Sequence, residues 1–316
     1  MGWLAYLRSD PVPWLLEPVN PAVRLATLRC IFRRPEAALR EAVAAFFAWR
    51  PITAVLDEVQ ARHGWGRRTL PFFGASVGTA GTLYALAQLG TPPHPATQTA
   101  CELLLRYGRD ERGDFAPLGG GTIPAVGYTG MALLTLAHFG FEGDLRFRSS
   151  LRALVQAVLH EERRYRCRDG SSACVPGWIK ALAALNALPA DLRDDSVGAA
   201  RQKLADLLLD FPWELRRRDR RWRLLHYPRY DDSDLSELCR VLAPLVPPDE
   251  PRFRPLLEAL IAAQSEAGRW TQARIIPSRL PVEGRGRPSR WLTWEAACTL
   301  ITCYGGNPYG EDTTQR

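Results

Sequence analysis

The residues best equipped for chemistry lie in Tyr230-Asp231-Asp232-Ser233-Asp234, where three carboxylates crowd the start of an apolar-periodic helix. Like charges at this spacing repel. At least one carboxyl is therefore expected to keep its proton above the ordinary range, as an acid that protonates an alkene or epoxide must. The same residues also suit helix capping, with Asp232 or Ser233 at the N-cap and Asp234 and Glu237 set against the positive end of the dipole. A second cluster holds Cys167, Cys174, His226 and Cys239. Cys174 stands at one helix start and His226 in the loop before another, so with Cys167 or Asp232 as third ligand they could hold zinc. Buried, reduced cysteines account for the same residues without a metal. Aromatic and basic side chains gather near the same helix starts. Tyr128, Trp178, Tyr230, Trp291 and Trp294 offer an apolar, ring-faced lining, while Arg229 and Arg290 offer partners for an anion.

Those positions are set by a repeat. One unit begins GTAGTLYALAQLG at 78–90 and continues through ATQTACELLLRYG, and the next begins GYTGMALLTLAHFGF at 127–141. A third begins CVPGWIKALAALNAL at 174–188, a fourth DSDLSELCRVLAPL at 232–245, and a half unit, RWLTWEAACTLI at 290–301, closes the series. Gly81, Gly130 and Gly177 recur at roughly 50 residues. Each unit pairs a helix that is apolar nearly all round with one carrying an Arg/Glu face, which predicts an inner and an outer layer. The terminal half unit favours closing the layers into a ring over an open solenoid. The expected fold is therefore all-α, an α/α toroid of helical hairpin repeats over 66–316, with an N-terminal arm and helical extension over 1–65. In that extension, Asn20 and Pro21 mark an N-cap and first helical position. The starts of the inner helices, with their positive dipole ends, are expected to line one mouth of the cavity.

The stretch Arg252–Trp270, with Gln264, Gly268 and Trp270 after a Leu/Ile stripe, is expected to close its helix by a positive-φ glycine and a Trp folded back as a plug. This Gln, Gly, Trp arrangement resembles the QW motif of the squalene-hopene cyclase and protein prenyltransferase superfamily. The run from Trp14 to Ile301 resembles bacterial single-domain proteins with prenyltransferase/squalene oxidase repeats. It does so through Trp14-Leu15-Leu16-Glu17-Pro18, Thr129-Gly130, Tyr165-Arg166-Cys167, Lys180-Ala181-Leu182, Tyr227-Pro228-Arg229-Tyr230 and Gly286-Arg287-Pro288. The resemblance implies a terpenoid-cyclase-like or prenyltransferase-like protein binding an isoprenoid or similar apolar substrate in a central cavity. Protonation-initiated cyclisation would fall to Asp231, Asp232 and Asp234. The acid motif of class II terpene cyclases reads DxDD, whereas this chain reads DDSD, and the metal signatures of the zinc transferases are missing. A non-catalytic binding or scaffold protein of the same fold is therefore the competing expectation, and a zinc-dependent transferase or cyclase a third. No cofactor is firmly implied; zinc would sit on Cys167, Cys174 and His226, and magnesium would accompany an isoprenoid-diphosphate ligand.

Composition sets wider bounds. The chain has 316 residues, 46% apolar and 24% charged, enough for a large core and too apolar for disorder. Its net charge of +7 comes almost wholly from Arg, with Lys only at 180 and 203. The run Arg216–Arg221 before Trp222 suits a solvated loop or contact with a membrane surface. No nucleic-acid-binding module is present. No basic leader or long apolar run stands in the sequence, so the chain is expected to be cytoplasmic, and its seven Cys are read as reduced thiols.

Overall fold

The computed structural model describes residues 2–62, 64–66, 70–72, 74–116, 125–161, 174–213 and 220–310. Two short helices open the chain, α1 (Val12–Leu15) and α2 (Pro21–Cys30), the second capped by the Asn20 side chain with Pro21 at its first turn. Then follow α3 (Arg40–Ala48), α4 (Arg50–Arg62), α5 (Thr79–Gln88), α6 (Pro95–Tyr107), α7 (Ala125–His138) and α8 (Leu145–His160). The chain continues through α9 (Val175–Ala187), α10 (Asp195–Leu209), α11 (Leu235–Leu242), α12 (Arg254–Ala262) and α13 (Arg290–Tyr304). Extended pairing among the described residues is limited to the isolated bridges Arg109 with Phe115 and Thr271 with Pro288.

The layers follow from which helices can face water. Every residue of α5 is buried, and α7 and α9 are nearly so, whereas α6, α8 and α10 keep a polar face. A helix apolar on all sides is stable only when surrounded, so these become the inner layer. Along that layer α5 packs on α7, α7 on α9, α9 on α11, α11 on α13 and α13 on α2. Arg29, near the end of α2, then reaches the carbonyl of Gly90 just past α5 at 2.9 Å, which brings the circuit back to its start. The inner helices form a closed ring. The tightest crossing is α7 on α9, where a Cβ at Gly130 would stand 2.6 Å from the Lys180 carbonyl, so only glycine fits.

One device recurs between the layers. An aromatic residue in the turn after an outer helix donates its backbone N–H to a threonine hydroxyl near the next inner helix start. Trp65 does so to Thr79 at 3.1 Å, Phe115 to Thr129 at 2.9 Å and Trp270 to Thr293 at 3.0 Å. The indole N–H of Trp65 and of Trp270 each turns back to a carbonyl of its own outer helix, at Val55 and Leu260. Hence α4 serves as outer helix to α5, and the repeat reaches back across residue 65 into the segment expected as an extension.

The Gln264 segment closes as expected and also clasps the N-terminal arm. Gly268 has φ +66°, and a Cβ there would meet the Ser9 carbonyl oxygen at 2.2 Å, so both conformation and space require glycine. Gln264 accepts from the Arg8 N–H at 2.7 Å and donates to the Tyr6 carbonyl at 3.0 Å. It thereby holds the N-terminal arm, while its amide also donates to the Ile261 carbonyl in the last turn of α12 at 2.9 Å. The arm is also tied to the C-terminal region by Trp3 N–H to the Gly305 carbonyl and by the stacked rings of Tyr6 and Tyr304. One expectation about the cysteines is corrected: Cys30 and Cys298 are joined as a disulfide between α2 and α13, since ring closure brings together residues 268 positions apart.

Candidate functional site

The inner ring encloses a cavity of about 410 Å³. Its wall takes Cys30 from α2, Ala87 and Gln88 from α5, Leu134, Ala137 and His138 from α7, and Ala183, Asn186 and Ala187 from α9. Val241 and Pro244 follow from α11 and the turn after it, and Trp294, Cys298, Thr299 and Thr302 from α13. Every inner helix contributes, largely through the C-terminal half. The volume lies within the ~300–1,000 Å³ of small-molecule sites. His138 is held neutral, because burial pushes its imidazole down further than its hydrogen bond to the Thr91 carbonyl pushes it up.

Across the middle of the ring runs a layer of charge in place of the uninterrupted apolar hollow that the helix patterns suggested. Lys180 on α9 is fully buried, and its ammonium donates to both carboxylate oxygens of Glu237 on α11, at 2.7 and 2.8 Å. Ser233 and the Tyr84 hydroxyl donate to the same carboxylate. Beside it, Arg229 clamps Glu295 of α13 through two hydrogen bonds, at 3.0 and 2.6 Å, and reaches Asp234 at 3.0 Å. Burial alone would raise Glu295, but Arg229 and Arg240 outweigh it and hold the carboxyl at about 2. A buried charge is tolerated only with such partners, so the cluster is complementary by necessity. Tyr84, Glu237 and Arg240 also face the cavity and make its charged floor.

The expected acid cluster has a different place. Asp234 is the N-cap of α11, accepting from Glu237 N–H at 3.1 Å, and it also accepts from His226 N–H at 2.8 Å. Asp232 pairs with Arg274 and lies 3.1 Å from His226 Nε2, close enough for charge attraction though off the line of a hydrogen bond. Burial would raise Asp232, but the imidazole of His226 dominates and holds the carboxyl well below the usual range. Repulsion among the carboxylates is thus relieved by Arg229, His226 and Arg274, and none of Asp231, Asp232 and Asp234 lines the cavity. Of the aromatic and basic candidates, Trp294 lines it. Tyr128, Trp178, Tyr230 and Trp291 are buried elsewhere, Arg229 is consumed in the charged layer, and Arg290 pairs with Glu17 over the ring of Trp14.

The metal set does not assemble on the described residues. His226 has Nδ1 3.0 Å from the Leu224 carbonyl and Nε2 3.1 Å from Asp232; Cys174 is buried at the start of α9, and Cys167 lies outside the described residues, as does 216–219 of the basic run. No group of three His, Cys, Asp or Glu side chains is placed to hold a metal among the described residues. No described helix is long and apolar enough to cross a membrane. Sequence reasoning missed Tyr84, Lys180, Arg240 and Glu295. The available signal was one charged residue in the middle of an otherwise apolar helix, Lys180 in α9 and Glu295 in α13, since burial obliges each to find an opposite charge.

No known family profile matches the chain, and no curated protein does. Among solved structures it is similar to the type II terpene cyclase MstE from Scytonema in complex with geranylgeranyl dihydroxybenzoate, at 15% identity and a TM-score of 0.33, covering 82% of this chain and 96% of that one. The same cyclase with merosterolic acid A gives 15% and 0.33 over 80% and 95% of the two chains. A protein from Actinoplanes gives 15% and 0.31 over 80% and 97%. The ring architecture itself rests on the helix contacts described above.

Proposed function

We propose that this chain binds one elongated, mainly apolar molecule, of isoprenoid or comparable type, in the cavity at the centre of the ring. The observation that carries this reading is that all six inner helices contribute to the wall of one cavity, with aliphatic and aromatic side chains around most of it. Evolving such a wall in a small domain sacrifices core packing that a purely structural ring would keep. The carboxylates support binding over acid catalysis. Glu237, Glu295, Asp232 and Asp234 are each held by a cation, and Glu295 and Asp232 are also acidified by their surroundings, so neither stores a proton for an alkene at neutral pH. Titration of purified protein with farnesol, followed by tryptophan fluorescence, tests the reading, because Trp294 lies in the wall. Saturable binding of one equivalent is expected, lost on filling the cavity by Ala183→Trp. Farnesol recovered after incubation is expected to keep its chromatographic retention; an isomer of equal mass would establish cyclisation instead, and absence of saturable binding would overturn the reading.

A further inference from the structure

We propose that the ligand carries a single negatively charged oxyanion head, a carboxylate in the first instance, received by Arg240 at the cavity floor. The inference rests on the cavity being a ligand site and names which ligand it takes. Charge balance in the layer beneath supplies the argument. Lys180 is taken up by Glu237 and Arg229 by Glu295 and Asp234, while Asp232 is met by Arg274 and His226. Arg240 shares Glu295 with Arg229 and is the cation that faces the cavity. It makes one hydrogen bond to Glu295, at 3.0 Å, an oxygen already held by Arg229, and its side chain is 42% exposed. The remaining N–H groups of its fork are therefore free for an incoming acceptor. Glu237, the cavity's other charged group, is filled: Lys180, Ser233 and Tyr84 donate to it, which leaves a ligand cation little to bind.

One effect opposes an anion. The cavity is walled by C-terminal halves of helices, whose dipole ends are negative. Several of those ends are answered by nearby donors, however. Arg29 takes the Gly90 carbonyl, Arg193 takes those of Asn186 and Leu188, and His138 lies against that of Thr91. A guanidinium in contact with the head group outweighs such partly neutralised ends farther away. A diphosphate does not suit the site. Its several negative charges would meet one half-exposed Arg, a neutral His138 and the Glu237 carboxylate, so the diphosphate ligand expected from resemblance gives way to a monoanion.

The test compares farnesoic acid, farnesol, farnesylamine and farnesyl diphosphate at pH 7.5, by tryptophan fluorescence and calorimetry, on the full chain and on Arg240→Gln. Wild type is expected to bind the acid roughly tenfold or more tighter than the alcohol, and in Arg240→Gln the ratio of the two affinities is expected to fall to near one. Arg240→Lys should keep part of the preference. Equal affinity for acid and alcohol in wild type, or tighter binding of the amine or diphosphate, overturns the proposal while leaving the cavity a ligand site. If no farnesyl compound binds, both readings fall. A circular dichroism melt of Arg240→Gln close to that of wild type shows that a changed preference is not unfolding.

Discussion

Glu295→Gln separates the charged layer as a source of stability from the same layer as mere packing. Glu295 is fully buried, and its carboxyl is held at about 2 against an ordinary value of 4.5. That difference corresponds to ~3 kcal/mol of preference for the ionised form in the folded protein. Because the folded value is depressed, the contribution is complete above 4.5 and is lost as pH falls through 4.5 towards about 2. The single amide oxygen can take the Oε2 place and accept from both Ser236 and Arg229, its NH2 then facing Arg229 and Arg240, and Arg229 retains Asp234, so the loss at neutral pH should stay near ~3 kcal/mol and not reach the cost of an isolated buried ion. Urea denaturation of both proteins at pH 7 and pH 3 measures it. The variant is expected to be less stable at pH 7 and to approach wild type at pH 3. Curves separated by the same amount at both values would show that Glu295 draws no net stability from its charge. Within the ligand proposal, the variant also releases Arg240 from its one partner, so its affinity for farnesoic acid should rise.

Lys180→Met strands Glu237 in the interior and should cost ~3–5 kcal/mol in thermal or urea unfolding, whereas Lys180→Met with Glu237→Leu should recover much of that, because the pair is replaced by packing. Gln264→Ala frees the arm at Tyr6 and Arg8 and should lower stability by ~1–3 kcal/mol; limited trypsin digestion should then cut faster after Arg8, and an unchanged digestion pattern would count against the clasp. His226 is pushed down by burial, but Asp232 and Asp234 outweigh this and raise it above 6.5. A raised group stabilises fully below 6.5 and loses that contribution as pH climbs through the folded value, so wild type should weaken at alkaline pH while His226→Asn should show a flatter profile.

Much of the fold could be read along the chain because the signals were local. Asn20 and Pro21 start a helix wherever they fall before an apolar run, and the all-apolar faces of α5, α7 and α9 leave no option but the interior. Gly268 announced its positive φ for the same reason. The site was less legible because its partners lie far apart. Arg229 next to an acidic run looked like a residue reaching outward to a ligand, and nothing near it indicated Glu295, which arrives only when α13 joins the ring. The sequence pattern places the cap at Asp232 or Ser233 with Asp234 in the first turn, whereas the helix begins one residue later than that and Asp234 is itself the N-cap. The cavity described above lies at the C-terminal halves of the inner helices, whereas the dipole argument points to their starts and holds for any helix.

The contact between residues 2 and 306 bears on how the ring could be rebuilt. Residues 2 and 306 touch, with the Gly306 oxygen 2.7 Å from where a Gly2 Cβ would stand. A short peptide across that contact, in place of residue 1 and residues 307–316, would make the backbone endless, and new ends could then be cut at the exposed turn around Gly140 and Gly143, where neither residue has a close neighbour. In such a circular permutant the succession of hairpins around the ring is unchanged while their order of synthesis shifts. The molecule is thus a cycle that happens to be written as a line.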